Sequence, residues 1–190
     1  MNTTTRASQD GPTRHKRLAI YLNDHLAGAT AGVELAARSA QEHQGSPFGE
    51  VLENLRKEIS QDRQALVRLL GDLEVPVRRY KVYGAWLGEK AGRAKPNGRL
   101  VRRSGLALLV ELEALRLGAL GKAALWRGLL AASAQDARLD ADRLEELLRR
   151  AERQITTLDS LHSRAATALL FPAQPTEPPS TAEAGTGSSA

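Results

Sequence analysis

The sequence predicts an all-α fold, a four-helix bundle with one long, partly helical crossover between its second and third helices. Three observations carry this expectation. Apolar residues recur three and four apart through four long segments, the spacing that gathers them on one side of a helix. The prolines (Pro12, Pro47, Pro76, Pro96, Pro172, Pro175, Pro178 and Pro179) fall between or beyond those segments, as they should when a proline inside a helix costs about 3 kcal/mol. No stretch alternates apolar and polar side chains in the manner of a half-buried strand.

The first helix is expected over residues 14–43, with Leu18, Leu22, Leu26, Ala29, Val33, Ala36 and Ala40 on its apolar side. Gly28 and Gly32 lie four apart on it and predict close approach of a neighbouring helix. The second begins with Ser46 as N-cap and Pro47 at the first helical position, then presents Phe48, Leu52, Leu55, Ile59, Leu66, Leu69 and Leu73. The third, about 105–131, has two apolar faces. Leu106, Val110, Leu117, Leu120 and Ala124 form one, and Leu108, Leu112, Leu115, Ala119 and Trp126 the other, so it is expected to be the most buried helix. The fourth follows Asp140 as N-cap and carries Leu144, Leu148, Ala151, Ile155, Leu158, Ala165 and Leu169.

Short turns at Gln44-Gly45 and about 132–139 make each pair an antiparallel hairpin. The domain is thus expected over 14–171, with a crossover at about 74–104 whose stretch 82–94 is itself helical. Residues 1–13 and 172–190, rich in Thr, Ser, Gly and Pro, are expected to be flexible tails.

Composition narrows the function. The 190 residues are 42% hydrophobic, enough for a real core, and carry a net charge of +5. The absence of cysteine excludes disulfides, thiolate metal sites and a cysteine nucleophile, and fits a reducing compartment. The longest aliphatic run, Leu106 to Val110, is too short to span a bilayer, and the N-terminus lacks the apolar run of a signal peptide. A soluble cytoplasmic protein is expected. Neither a phosphate-binding loop nor a nucleophile elbow occurs.

Each helix also places an ionisable residue in or beside its apolar stripe, which is costly without a partner. His162 falls in the fourth-helix stripe with Asp159 three residues before it, Glu113 in one stripe of the third helix, and Asp62 in that of the second with Glu58 at its edge. His25 lies at the edge of the first-helix stripe, and Glu34 falls well outside it, in solvent. Counting residues from a turn near residue 136 puts Glu113 level with Asp159 and His162 one turn deeper. Counting from Gly45 leaves His25 and Asp62 offset by about 4–5 Å.

This inward cluster, with its Asp-x-x-His element at 159–162, resembles the ferritin-like superfamily of di-iron carboxylate bundles, as does the position of the long crossover. That family supplies one Glu from each of two helices and a Glu-x-x-His pair from each of the other two. Glu113 matches a single-Glu position, and Asp159 with His162 matches Glu-x-x-His conservatively. The second helix departs, with Glu58 and Asp62 but no His, and the first offers His25 where a Glu is expected. The stretch YLNDHLAGATAGVELA, Tyr21 to Ala36, is similar to that of small bacterial ferritin-like proteins. The resemblance implies a metal set of Glu58, Asp62, Glu113, Asp159, His162 and His25, holding Fe or Mn for oxidase-like chemistry or metal storage. The competing expectation is a degenerate polar core without a cofactor, in which Glu113 pairs with Arg116 and Asp62 with nearby basic groups. That favours a non-enzymatic structural, stress-related or binding protein.

The positive charge is local. Arg78, Arg79, Lys81, Lys90, Arg93, Lys95, Arg99, Arg102 and Arg103 face Glu89 alone, with Tyr80, Tyr83 and Trp86 interleaved at three-residue spacing. The aromatics can lay the crossover on the bundle while the charges stay solvated. The alternative is a polyanion partner, a nucleic acid or an anionic surface, held by phosphate contact and stacking. A homo-oligomer is left open.

Overall fold

The computed structural model describes residues 7–78 and 106–170, with side chains from Thr13 onward. They form four α-helices: α1 (Ala7–Glu42), α2 (Gly49–Asp72), α3 (Leu106–Ala132) and α4 (Ala141–Leu170). A 3-10 turn, Ser133–Gln135, follows α3. No strand occurs among the described residues. The predicted crossover helix and the segment 172–190 lie outside them.

The helix ends show which local signals govern. α1 begins at Ala7 and runs through Pro12, ahead of the start expected at residue 14. Ser46 caps a turn rather than α2 itself. Its Oγ accepts the Phe48 N–H at 3.2 Å and its carbonyl accepts the Gly49 N–H at 3.0 Å, so Pro47 stays in the turn and the helix starts at Gly49. Two glycines make this turn: Gly45 has φ 79, and a Cβ on Gly49 would lie 2.7 Å from the His43 carbonyl oxygen. α2 closes in a Schellman pattern. Val75 N–H reaches the Leu70 carbonyl at 2.8 Å and Glu74 N–H the Gly71 carbonyl at 3.0 Å, with Glu74 left-handed at φ 56. Asp140 caps α4 as expected, its Oδ1 accepting the Arg143 N–H at 3.1 Å.

Inter-helix bonds fix the directions. Arg63 Nε donates to Thr30 Oγ1 at 3.0 Å between α2 and α1, and α3 meets α4 through Arg127–Glu152, Lys122–Gln154 and Arg116–Asp159. The numbers fall on one helix as they rise on the other, so both hairpins are antiparallel. Ser39 with Glu111, and Tyr21 beside Gly128, set α1 antiparallel to α3. Asp62–Arg150 and Asp72–Arg143 set α2 antiparallel to α4. Hence α2 and α3 run parallel. The chain leaves α2 beside the first half of α1, where Asn23 Oδ1 accepts the Arg78 N–H at 2.7 Å, and re-enters α3 beside the far end of α1.

Two apolar clusters fill the interior, one around Leu22, Leu66, Leu70, Leu125, Trp126 and Leu144, the other around Leu52, Leu55, Leu108, Leu112, Leu158 and Leu161. α3 buries only the face that carries Leu108, Leu112, Leu115, Ala119 and Trp126. Its other apolar face is solvated, with Val110 at 61% and Leu117 at 67% exposure, which corrects the expectation that α3 is the most buried helix. A helix in a four-helix bundle always turns one side outward, and for α3 that side also carries Glu113.

Candidate functional site

A charged layer lies between the two apolar clusters. Asp62 on α2 is 2% exposed and Gln154 on α4 is 1% exposed. Asp62 Oδ1 accepts from Arg150 Nε at 2.6 Å, and Oδ2 accepts from Lys122 Nζ and from Gln154 Nε2 at 3.1 Å. Gln154 Nε2 also donates to Glu58 Oε2 at 2.9 Å, while its Oε1 accepts from Lys122. A buried carboxylate is costly to desolvate, by several kcal/mol, unless its lone pairs are met by charge and hydrogen bonds. Here two cations and an amide meet them. Burial pushes the Lys122 ammonium below its usual range, and Arg150 adds to this, while Asp62 and Glu58 oppose it.

The six candidate metal ligands do not converge. Glu113 and His162 sit on the exposed outer side of α3 and α4, where Glu113 Oε1 lies 3.1 Å from His162 Nε2. Asp159, expected opposite Glu113, is instead bound by Arg116, and Arg116, expected on Glu113, is thereby engaged elsewhere. The register is one turn away from the count, because the loop after the 3-10 turn carries the chain reversal beyond residue 136. The α4 stripe is also rotated. Leu147, Gln154 and Leu161 point inward with Leu144, Ala151, Leu158 and Ala165, which leaves Leu148, Ile155 and His162 on the flank.

His25 is half-buried on α1, its ring edge-on to Tyr21 with centroids 4.6 Å apart. Desolvation holds its pKa below the usual value, with Asp24 opposing. Glu34 is exposed, as expected. Among the described residues no group of three or more His, Cys, Asp or Glu side chains is placed to hold a metal ion. The donor set at the charged layer does not fit one either: Asp62 already faces an ammonium and a guanidinium, which would repel an incoming cation. Of the basic crossover only Arg78 is described, exposed and with its backbone N–H on Asn23. Residues Arg79 to Arg103 lie outside the described part.

Sequence reasoning did not reach Lys122, Arg150 or Gln154. For Gln154 a signal existed, since it stands three after Ala151 and four before Leu158. Beside the layer opens a cavity of about 340 Å³ between α1, α2 and α3. Gly28, Ala29 and Gly32 form its α1 side, Gly118, Ala119, Gly121 and Trp126 its α3 side, and Ile59, Asp62 and Leu66 its floor. A Cβ on Gly32 would touch Ile59 Cγ2 at 3.9 Å, but one on Gly28 or Gly118 would meet nothing within 4 Å. Gly28 therefore opens space rather than seating a neighbouring helix, which corrects the expectation for the Gly28/Gly32 pair.

Fold and site together define a class, an all-α four-helix bundle with a buried ion-pair layer. Among the described residues no helix is long and apolar enough to cross a membrane. Compared with protein families, curated proteins and solved structures, the chain shows no match.

Proposed function

We propose that this chain is a ferritin-like bundle whose central polar layer is neutralised by its own cations, and that it serves as a non-enzymatic structural or binding protein. The helix directions support the comparison: parallel α2 and α3, joined by a segment that runs between opposite ends of the bundle, are what a single long crossover requires. The observation that carries the reading is the double engagement of Asp62 by Lys122 and Arg150. In a di-metal carboxylate bundle, metal ions balance the inward acids. In this chain an ammonium and a guanidinium stand beside the acid, so a metal there would add positive charge to a layer already balanced.

Metal analysis of the full chain, expressed with added iron or manganese, tests the proposal. Less than one equivalent of Fe or Mn is expected, unchanged by His162→Ala. About two equivalents per chain, lost on substitution of Asp62 or His162, would establish the di-metal reading in its place.

A further inference from the structure

We propose that the outward face of α3 is a self-association surface, on which a second copy of this chain docks its own α3 antiparallel, about a two-fold axis near Leu120. The outward stripe from Leu106 to Ala131 steps by four and three residues, through 110, 113, 117, 120, 124 and 127, the spacing of a seam between paired helices. Leu106, Val110 and Leu117 are each more than half exposed, and the only charged members of the stripe are Glu113 and Arg127. An apolar stripe that runs the whole of a 27-residue helix, about 40 Å, is a continuous patch rather than scattered surface leucines, and such patches mark contact sites.

Two features of the face select its occupant, and the first is shape. The large side chains, Leu106, Val110 and Leu117, lie in the N-terminal half, whereas exposed Ala124, Gly128 and Ala131 make the C-terminal half shallow. Two parallel copies would set leucine on leucine at one end and leave a gap at the other. Antiparallel copies set large against small. About Leu120, Leu117 comes within one residue of the level of the partner's Ala124, and Val110 within one residue of the level of the partner's Ala131.

The second feature is charge. Glu113 and Arg127 stand 120 − 113 = 7 and 127 − 120 = 7 residues from Leu120, about 10 Å to either side. The two-fold therefore brings Glu113 level with the partner's Arg127, and Arg127 level with the partner's Glu113. Both lie toward α4, where Glu113 meets His162 at 3.1 Å and Arg127 meets Glu152 at 3.0 Å. A two-fold axis across the seam sets like flanks together, so the acid and the base fall on the same side of it. Within their own pairs both side chains stay more than half exposed, which leaves each free to take a second, opposite charge. Two ion pairs per dimer thus fix direction and register. Nothing in this inference depends on whether the charged layer holds a metal.

Sedimentation equilibrium of the full chain between about 1 and about 200 μM tests this, the range in which an interface of modest size associates. Wild type should reach a dimer. Leu117→Glu, Glu113→Arg and Arg127→Glu should each weaken association at least about tenfold. The critical arm mixes the Glu113→Arg chain with the Arg127→Glu chain. Each alone sets like charges against itself, but in the mixed dimer both pairs are again opposite in sign, so the equimolar mixture should dimerise to within about threefold of wild type. Dimerisation indifferent to Leu117→Glu, variants that fail to rescue one another on mixing, or a chain that stays monomeric across the range would each overturn the proposal. A monomer whose melting temperature falls with Leu117→Glu would do so by showing that the chain covers this face itself.

Discussion

Replacing Asp62 with Ala removes the anion on which the central layer is organised. Lys122 and Arg150, 14% and 20% exposed in their side chains, would then face each other across the space it leaves, with Glu58 reaching them only through Gln154. Breaking a buried pair from one side costs about 3–5 kcal/mol. Glu58 remains as partial compensation, which places the expected loss in the lower half of that range. For a domain of this size, each kcal/mol moves the melting temperature by about 2–4 °C, so Asp62→Ala should melt roughly 6–16 °C below wild type by circular dichroism. The companion variant is Asp62→Leu with Lys122→Met and Arg150→Met. It exchanges Asp62 and its two cations for apolar side chains, leaving Glu58 with Gln154, and should recover to within about 2 kcal/mol of wild type, because the desolvation cost of those three charges disappears with them. A loss under about 1 kcal/mol for Asp62→Ala would refute the reasoning, since it would mean that the layer is not buried in solution. So would a triple variant no more stable than the single one.

Three further outcomes follow from the same geometry. Asp136 is held at a pKa of about 2 by the Arg138 side chain and backbone N–H, against an ordinary 3.8. Its contribution is therefore fully present above pH 3.8 and lost as pH falls toward 2. Asp136→Asn should flatten that part of the acid unfolding curve, by less than about 1 kcal/mol because the pair is solvated, and an unchanged curve would contradict the assignment. Glu74 occupies a left-handed backbone position, so Glu74→Gly should stabilise by about 0.5–1 kcal/mol in urea titrations. A lower midpoint would show that its side chain matters more than its φ. Because His162 meets Glu113 on the solvent side of the bundle, His162→Ala should change stability by no more than about 1 kcal/mol. A loss of 3 kcal/mol or more would place that imidazole inside.

The helices and hairpins are legible in the sequence because an apolar repeat survives small errors in phase. Leu22, Leu55, Leu112 and Leu158 are buried whichever flank of their stripe is chosen. The site is not so forgiving. On α4 the positions 148, 155 and 162 and the positions 147, 154 and 161 fit the same repeat, and each set contains one polar residue. Choosing between them, or between the two faces of α3, depends on which neighbour the helix meets. Asp62 was visible as a polar intruder, but Lys122, Arg150 and Gln154 lie 60, 88 and 92 residues away. Naming them needs the register correct to within a turn, and counting from the turn missed by about that much between α3 and α4. The cavity was hidden for another reason. A glycine such as Gly28 permits either close contact or empty space, and only the partner helix decides which.

Calorimetric titration of the wild-type chain with Mn(II), and with Fe(II) under anaerobic conditions, addresses most directly whether Asp62 is neutralised from within. The structure predicts no saturable binding and no shift in melting temperature at millimolar metal. Saturation near two equivalents, abolished by Asp62→Asn, would mean that Lys122 and Arg150 give way to metal and would contradict the account.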